Sequence, residues 1–153
     1  MRKKTVFVLV VAIALILTII GCTPKKTPTL RGAYQSEHVN GYIIQMTFQP
    51  GDHSFVEYID NREVDNGTYK ELQDGLYKIN GELQELEITL NSDNSFDLVV
   101  KKLNNGKPIT LKNVDTTPVY IGTKFDDVAE YKSLLEWRWM LVHTWYEQGI
   151  LII

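Results

Sequence analysis

The stretch Leu86-Glu-Ile-Thr-Leu-Asn-Ser-Asp-Asn-Ser-Phe-Asp-Leu-Val-Val100 predicts the fold of this chain. Its first five residues alternate, so that Leu86, Ile88 and Leu90 share one face of a strand. Residues 91–95 are short and polar, and side chains of this kind bond to their own backbone in turns. Apolar residues return from Phe96 onward. The stretch therefore predicts a strand, a turn and an antiparallel strand.

The same pattern recurs on both sides of this stretch. Further strands are predicted over 42–48, 55–59, 68–70, 76–79, 109–114 and 119–121, with turns over 50–52, 60–67, 73–75 and 104–106. Short strands separated by turn residues at this spacing are typical of an antiparallel meander. A meander leaves two unpaired edges, which are most simply removed by closure. The chain is thus predicted to be mainly β, with residues 30–121 curling into a small barrel.

Three Gly-x-Tyr triplets give this β region a recognisable order. They are Gly32-Ala-Tyr34, Gly67-Thr-Tyr69 and Gly75-Leu-Tyr77, and Phe48-Gln-Pro-Gly-Asp-His-Ser-Phe55 lies between the first two. This order resembles the small lipocalin-like lipoproteins of bacteria, in which a Gly-x-aromatic opens the first strand. Tyr34 stands where such proteins often carry Trp. The resemblance implies a lipocalin-like barrel, and because that family is functionally mixed it implies no catalytic residue.

The N-terminus predicts export and a lipid anchor. Arg2, Lys3 and Lys4 precede an apolar run over 6–20, which has the length of a signal-peptide core and is shorter than the roughly 20 residues of a spanning helix. Ile19-Ile-Gly-Cys22 resembles the bacterial lipobox. That resemblance implies cleavage between Gly21 and Cys22 and transfer of a diacylglyceryl group to Cys22. Residues 1–21 are then an apolar signal-peptide helix. The mature protein is expected at the extracytoplasmic face of the cell membrane, carrying palmitate-type acyl chains.

Composition limits what the exported part can be. Cys22 is the only cysteine, so no internal disulfide can form, and residues 23–29 with their two prolines form an extended linker. Removing three basic residues with the signal peptide leaves 13 of the 16 against 19 acidic ones, a formal charge of about −6. A nucleic-acid surface would need clustered basic residues, so nucleic acid is excluded as a partner.

The C-terminal segment changes period. Val128, Tyr131, Leu135, Trp139, Val142 and Tyr146 follow a helical spacing, which predicts an amphipathic helix over 126–148 and an apolar tail over 149–153. Packing on or near the barrel would bury this stripe. Three alternatives stay open: a membrane contact through its tryptophans, a partner surface, and a shifted reading frame after Glu136.

The sequence offers no set of catalytic residues. His38, His53 and His143 lack the spacing of metal ligands. Asp60, Glu63, Asp65 and Asn66 could hold calcium loosely, but their pattern favours a solvated turn. No nucleophile or phosphate-loop motif is present, so no metal, cofactor or enzymatic activity is predicted.

The favoured function is therefore a membrane-anchored, non-enzymatic interaction or binding module of the cell envelope. One alternative is a lipocalin-like binder of a small apolar ligand, with a candidate lining of Tyr34, Tyr42, Tyr58, Tyr69 and Tyr77. Others are an uncharacterised enzyme and a source of a short apolar signalling peptide released from the leader.

Overall fold

The computed structural model describes residues 28–135. Residues 1–27, which include the predicted signal peptide over 1–21 and the predicted lipidation site Cys22 next to Gly21, lie outside this range, as do residues 136–153. Within the described range no helix has both the length and the apolar character needed to cross a membrane.

Eight antiparallel strands form one sheet that nearly closes into a barrel, as the alternation predicts. They are β1 (Gly32–Ser36), β2 (Ile44–Gln49), β3 (Ser54–Ile59), β4 (Arg62–Gln73), β5 (Leu76–Gly81), β6 (Glu85–Thr89), β7 (Phe96–Leu98) and β8 (Ile109–Asp115). Each strand from β1 to β5 pairs with the next, and β1 also pairs with β8, which pairs with β7. The sheet is interrupted between β6 and β7, the two halves of the stretch that predicts the fold.

The conformation of the turn at residues 60 and 61 sets where β4 begins. Asp60 and Asn61 have φ of 48° and 68°, the left-handed conformation that a two-residue hairpin turn needs and that Asp and Asn tolerate. The turn is therefore complete in two residues and β4 starts at Arg62. The prediction of a turn over 60–67 was wrong, because residues 62–67 pair with β3 despite their polarity.

One face of every strand is buried, so the core lies inside the barrel. We call the end of the barrel where β1 starts the lower end, and the end with residues 37–43 and 60–61 the upper end. A short helix, α1 (Lys101–Asn104), follows β7 at the upper end, and its Leu103 is fully buried. Leu30 is buried at the lower end, just before β1.

Residues 116–127, which we call the strap, cross the outside of β1, β2 and β3. The predicted strand over 119–121 was wrong: this segment has no regular structure and is held by side chains. Thr47 Oγ1 donates to Val119 O at 2.6 Å, and the Ile121 amide donates to Tyr58 Oη at 3.3 Å. These side-chain bonds replace the backbone ladder that would have made the segment a strand.

Arg62 fastens the end of the strap. Its guanidinium lies 4.3 Å and 4.7 Å from the ring centroids of Phe125 and Tyr131, and donates to both carboxylate oxygens of Asp127 at 3.1 and 2.8 Å. A planar guanidinium can stack on rings and pair with a carboxylate at once.

Of the predicted C-terminal helix, the described part is α2 (Val128–Lys132) and a turn through Leu135. Leu135 is buried in the core cluster, with Tyr131 and Leu134 packed against it. Residues 136–148 of the predicted helix and the tail over 149–153 lie outside the described range.

Replacing the aromatic side chain at the centre of the core should show how much the fold depends on it. Phe48 is completely buried and contacts four other rings, so Phe48→Ala should lower the free energy of unfolding by about 3–5 kcal/mol. Denaturant unfolding followed by circular dichroism measures this. Leu72→Ala is the control: Leu72 is 45% exposed, and its loss should change stability by less than about 0.5 kcal/mol. Equal losses in the two variants would contradict a core centred on Phe48.

Candidate functional site

Aromatic side chains fill the inside of the barrel. Phe48 lies 5.6 Å from Tyr34, 5.3 Å from Tyr69 and 6.0 Å from Phe96 between ring centroids, each with edge-to-face geometry. Phe55 stacks on Phe48 at 6.2 Å. These spacings are those of closely packed rings. The space that an eight-stranded barrel can give to a small ligand is here taken by the chain itself.

The lower end is closed by Leu30 and two tyrosines. The Leu30 amide donates to Tyr77 Oη, and Tyr69 Oη donates to Leu30 O, each at 3.4 Å. Burial raises the pKa of Tyr69 to about 12, so its hydroxyl keeps the proton that it donates. The residue that follows the linker is thereby fixed in the mouth of the barrel.

The five tyrosines predicted as a ligand lining do not meet at one place. Tyr34, Tyr69 and Tyr77 face inward and belong to the core cluster. Tyr58 lies on the outer face of β3 beneath the strap. Tyr42 lies at the upper end, with its ring 6.0 Å from that of Tyr131.

Two carboxyl groups face the interior where sequence reasoning expected none. Glu57 on β3 and Asp65 on β4 are directly opposite each other in the ladder, and they are 0% and 1% exposed. Glu57 shares its face with Phe55 and Ile59, and this alternation was the signal in the sequence that could have identified it.

Asp65 is held by backbone amides. Its Oδ1 accepts from the amides of Asn66 at 2.9 Å and Leu83 at 3.0 Å, and its Oδ2 accepts from the Gln84 amide at 3.3 Å. A Cβ at Gly81 would overlap this carboxylate, so glycine there makes room for it. Asp65 thereby anchors the turn between β5 and β6. The prediction that Asp65 lies in a solvated turn was wrong.

Glu57 accepts fewer hydrogen bonds than Asp65 does. Gln84 Nε2 donates to Glu57 Oε2 at 2.7 Å, while Glu57 Oε1 is buried with no hydrogen-bond partner in the described part of the chain. Burial, and after it the charge of Asp65, raise the pKa of Glu57, while the Gln84 bond lowers it; the net result is a pKa of about 8. Glu57 is therefore protonated at neutral pH. We call Glu57, Asp65 and Gln84 the carboxyl latch.

The other residues considered as metal ligands are dispersed. Asp60 Oδ1 accepts from the Ile43 amide at 2.8 Å, Glu63 is exposed, and His38 and His53 are exposed at opposite ends of the barrel. Across residues 28–135, no three His, Cys, Asp or Glu side chains come together as a metal site. His143 lies outside that range.

One cavity formed by described residues is on the outside of the barrel. A shallow groove of about 110 Å³ lies between the strap and the sheet, bordered by Gln35, Gln45, Tyr58, Val114, Val119 and Ile121. Val114 and Val119 are 61% and 49% exposed, and the neighbouring Tyr120 is 53% exposed. These three side chains form an exposed apolar patch, which we call the strap patch.

Fold and site together define a small, nearly closed antiparallel barrel with a filled interior. No protein-family model matches the chain, and neither a curated protein nor a solved structure matches it.

The carboxyl latch should make stability fall as pH rises. The pKa of Glu57 is about 8 in the fold against 4.5 as a free group. Between these values the unfolded chain binds fewer protons than the folded one, so the free energy of unfolding decreases with pH. One group contributes about 1.4 kcal/mol per pH unit, or on the order of 4–5 kcal/mol over this window.

Glu57→Gln keeps the shape and the Gln84 bond but cannot ionise. The wild-type chain should therefore lose stability relative to Glu57→Gln from pH 5 to pH 8, as measured by urea denaturation. Asp74→Asn, at an exposed turn position, is the control and should follow the wild-type profile. Parallel profiles for wild type and Glu57→Gln would show that Glu57 ionises normally in the fold.

Proposed function

We propose that this protein is a membrane-anchored envelope lipoprotein and that its barrel is a non-enzymatic module for binding another protein. The observation that carries the proposal is the filled interior. An eight-stranded barrel either packs side chains inside or leaves room for a ligand. Here Phe48, Phe55, Phe96 and the three inward tyrosines occupy that room.

The outer groove is too small to favour a small-molecule carrier. Its volume of about 110 Å³ is well below the roughly 300–1,000 Å³ of sites that enclose a small ligand. A groove flanked by half-exposed apolar side chains suits one side chain of a protein partner. Binding at the outer surface is accordingly favoured over binding inside.

The position of Leu30 fits an anchor on Cys22. Leu30 is fixed in the lower mouth, and the linker over 23–29 that precedes it reaches roughly 20 Å when extended. The lower end would face the membrane, and the strap, the sheet edges and the upper end would face outward. Two acyl chains on Cys22 would give stable retention, which one chain does not.

The anchor is tested with Cys22→Ser in a bacterial host that processes lipoproteins. The variant should keep its signal peptide, run at the mass of the unprocessed precursor, and fail to incorporate a palmitate analogue. Thr23→Ser, next to the predicted cleavage site, is the control and should be processed and labelled normally. Labelling of Cys22→Ser at the wild-type level would contradict the anchor.

The kind of ligand is tested by native mass spectrometry of the full chain extracted in mild detergent. The expected mass is that of the acylated chain, alone or with a protein partner. A small molecule that stays bound after mild collisional activation, in a stoichiometric amount, would contradict a protein-binding module and favour the ligand-carrier alternative.

A further inference from the structure

Among residues 28–135, the strap patch is the place where large, exposed apolar side chains lie together. Val114, Val119 and Tyr120 form it, and the groove of about 110 Å³ runs beside them. The other large apolar side chains that are exposed in this range, Leu72 on β4 and Val99 next to α1, stand singly elsewhere on the barrel. A group of exposed apolar side chains marks a surface that something else covers.

The chain leaves the described range at the upper end of the barrel, close to the start of β8. Lys102 Nζ on α1 donates to Ser133 O, which holds the last described residues against α1. Leu135 follows and is buried in the core cluster. Because α1 leads into β8, and β8 carries Val114 near its other end, residues 136–153 begin at the top of the strand that borders the strap patch.

The distance to the patch is within reach of this segment. Val114 is five residues along β8 from Ile109, or roughly 17 Å at about 3.4 Å per residue. The eighteen residues over 136–153 span about 27 Å as a helix and more when extended. The segment can therefore reach the patch in either conformation.

The composition of the segment favours a protein surface over a membrane surface. Eleven of its eighteen residues are apolar or aromatic, and its one arginine, Arg138, stands against Glu136 and Glu147. Segments that lie in a membrane interface are rich in lysine and arginine on their polar face. The segment also starts at the upper end of the barrel, opposite Leu30 and the linker. It therefore needs an apolar surface and starts beside one.

We propose that residues 136–153 dock on the strap patch of their own chain and place an apolar side chain in the groove beside it. Removing both apolar surfaces from water would stabilise the contact. A partner protein that uses the groove would have to displace this segment, so the segment would regulate binding. That consequence rests on the proposed protein-binding function, whereas the docking itself does not.

Tryptophan fluorescence tests the docking, because all three tryptophans of the chain, Trp137, Trp139 and Trp145, lie in this segment. The full chain is studied in a lipid nanodisc. Val119→Asp places a charge on the patch, so the emission should shift to longer wavelength and quenching by acrylamide should increase. Leu72→Asp is the matched control, since Leu72 is 45% exposed against 49% for Val119, and it should leave the emission unchanged. Circular dichroism checks that both variants keep the barrel.

Photochemical cross-linking gives a second measurement that does not depend on a destabilising charge. A benzophenone-bearing phenylalanine at position 120 keeps an aromatic ring in the patch. Irradiation should link it to peptides from residues 136–153, which mass spectrometry identifies after digestion. The same group at position 72 is the control and should give no such link. Mixing isotope-labelled and unlabelled chains separates a link within one chain from a link between two copies.

Three outcomes would overturn the proposal. One is an emission that Val119→Asp leaves unchanged, and another is strong quenching of the tryptophans by brominated lipids, which would place the segment in the membrane. The third is a link from position 120 that is absent or forms only between copies. A protein partner seen by mass spectrometry together with any of these would leave the proposed function standing and reject only the docking. Docking without a partner would support this inference and leave the proposed function without support.

Discussion

The packing of aromatic rings around Phe48 is the constraint on which the rest of the structure depends. Without disulfides, the domain has only its core to stabilise it, and five mutually contacting rings lie within that core. Strands from β1, β2, β3, β4 and β7 each contribute one of them. The rings therefore fix the curvature of the sheet as well as its stability, and they exclude other molecules from the interior. Because the described residues fill the core with their own side chains, the core stabilises the fold and leaves no interior space for a ligand.

The carboxyl latch places two acidic side chains inside this apolar core, where burying a polar group costs stability. Asp65 is compensated by three amides, whereas Glu57 has one hydrogen bond and an unpartnered oxygen. A buried acid of this kind is stable only when protonated, because an ionised pair of carboxylates would be confined together at low dielectric. The latch fixes the position of the turn between β5 and β6. Without it, β6 would be held in the sheet only by its pairing with β5. A local cost in stability thus fixes the geometry of an edge strand.

Alternation predicted most of the strands from the sequence, but it did not single out β1, it placed a strand over 119–121 that does not form, and it could not predict how the sheet closes. Leu86, Ile88 and Leu90 lie on one buried face as predicted, since period-two burial is a local property. Pairing is not local. The stretch over 86–100 reads as a hairpin, yet β6 and β7 separate after the turn at 91–95. Val119–Ile121 reads as a strand, but Thr47 and Tyr58 hold the strap by side chains. Glu57 was overlooked because its charge suggested exposure, although its position between Phe55 and Ile59 placed it inside. Each of these outcomes depends on a neighbour distant in sequence.

A small barrel can bind other molecules in its interior, at its ends or on its outer faces, and these surfaces are not equally accessible here. Its interior is occupied, and its lower mouth is sealed by Leu30, whose backbone is bonded to Tyr69 and Tyr77. The outer faces of β1, β2 and β3 are partly covered by the strap, which Arg62 fastens through Asp127 and two rings. Among the described residues this leaves the strap patch, where Val114, Val119 and Tyr120 are exposed side by side, as the apolar surface that these residues do not use for their own packing.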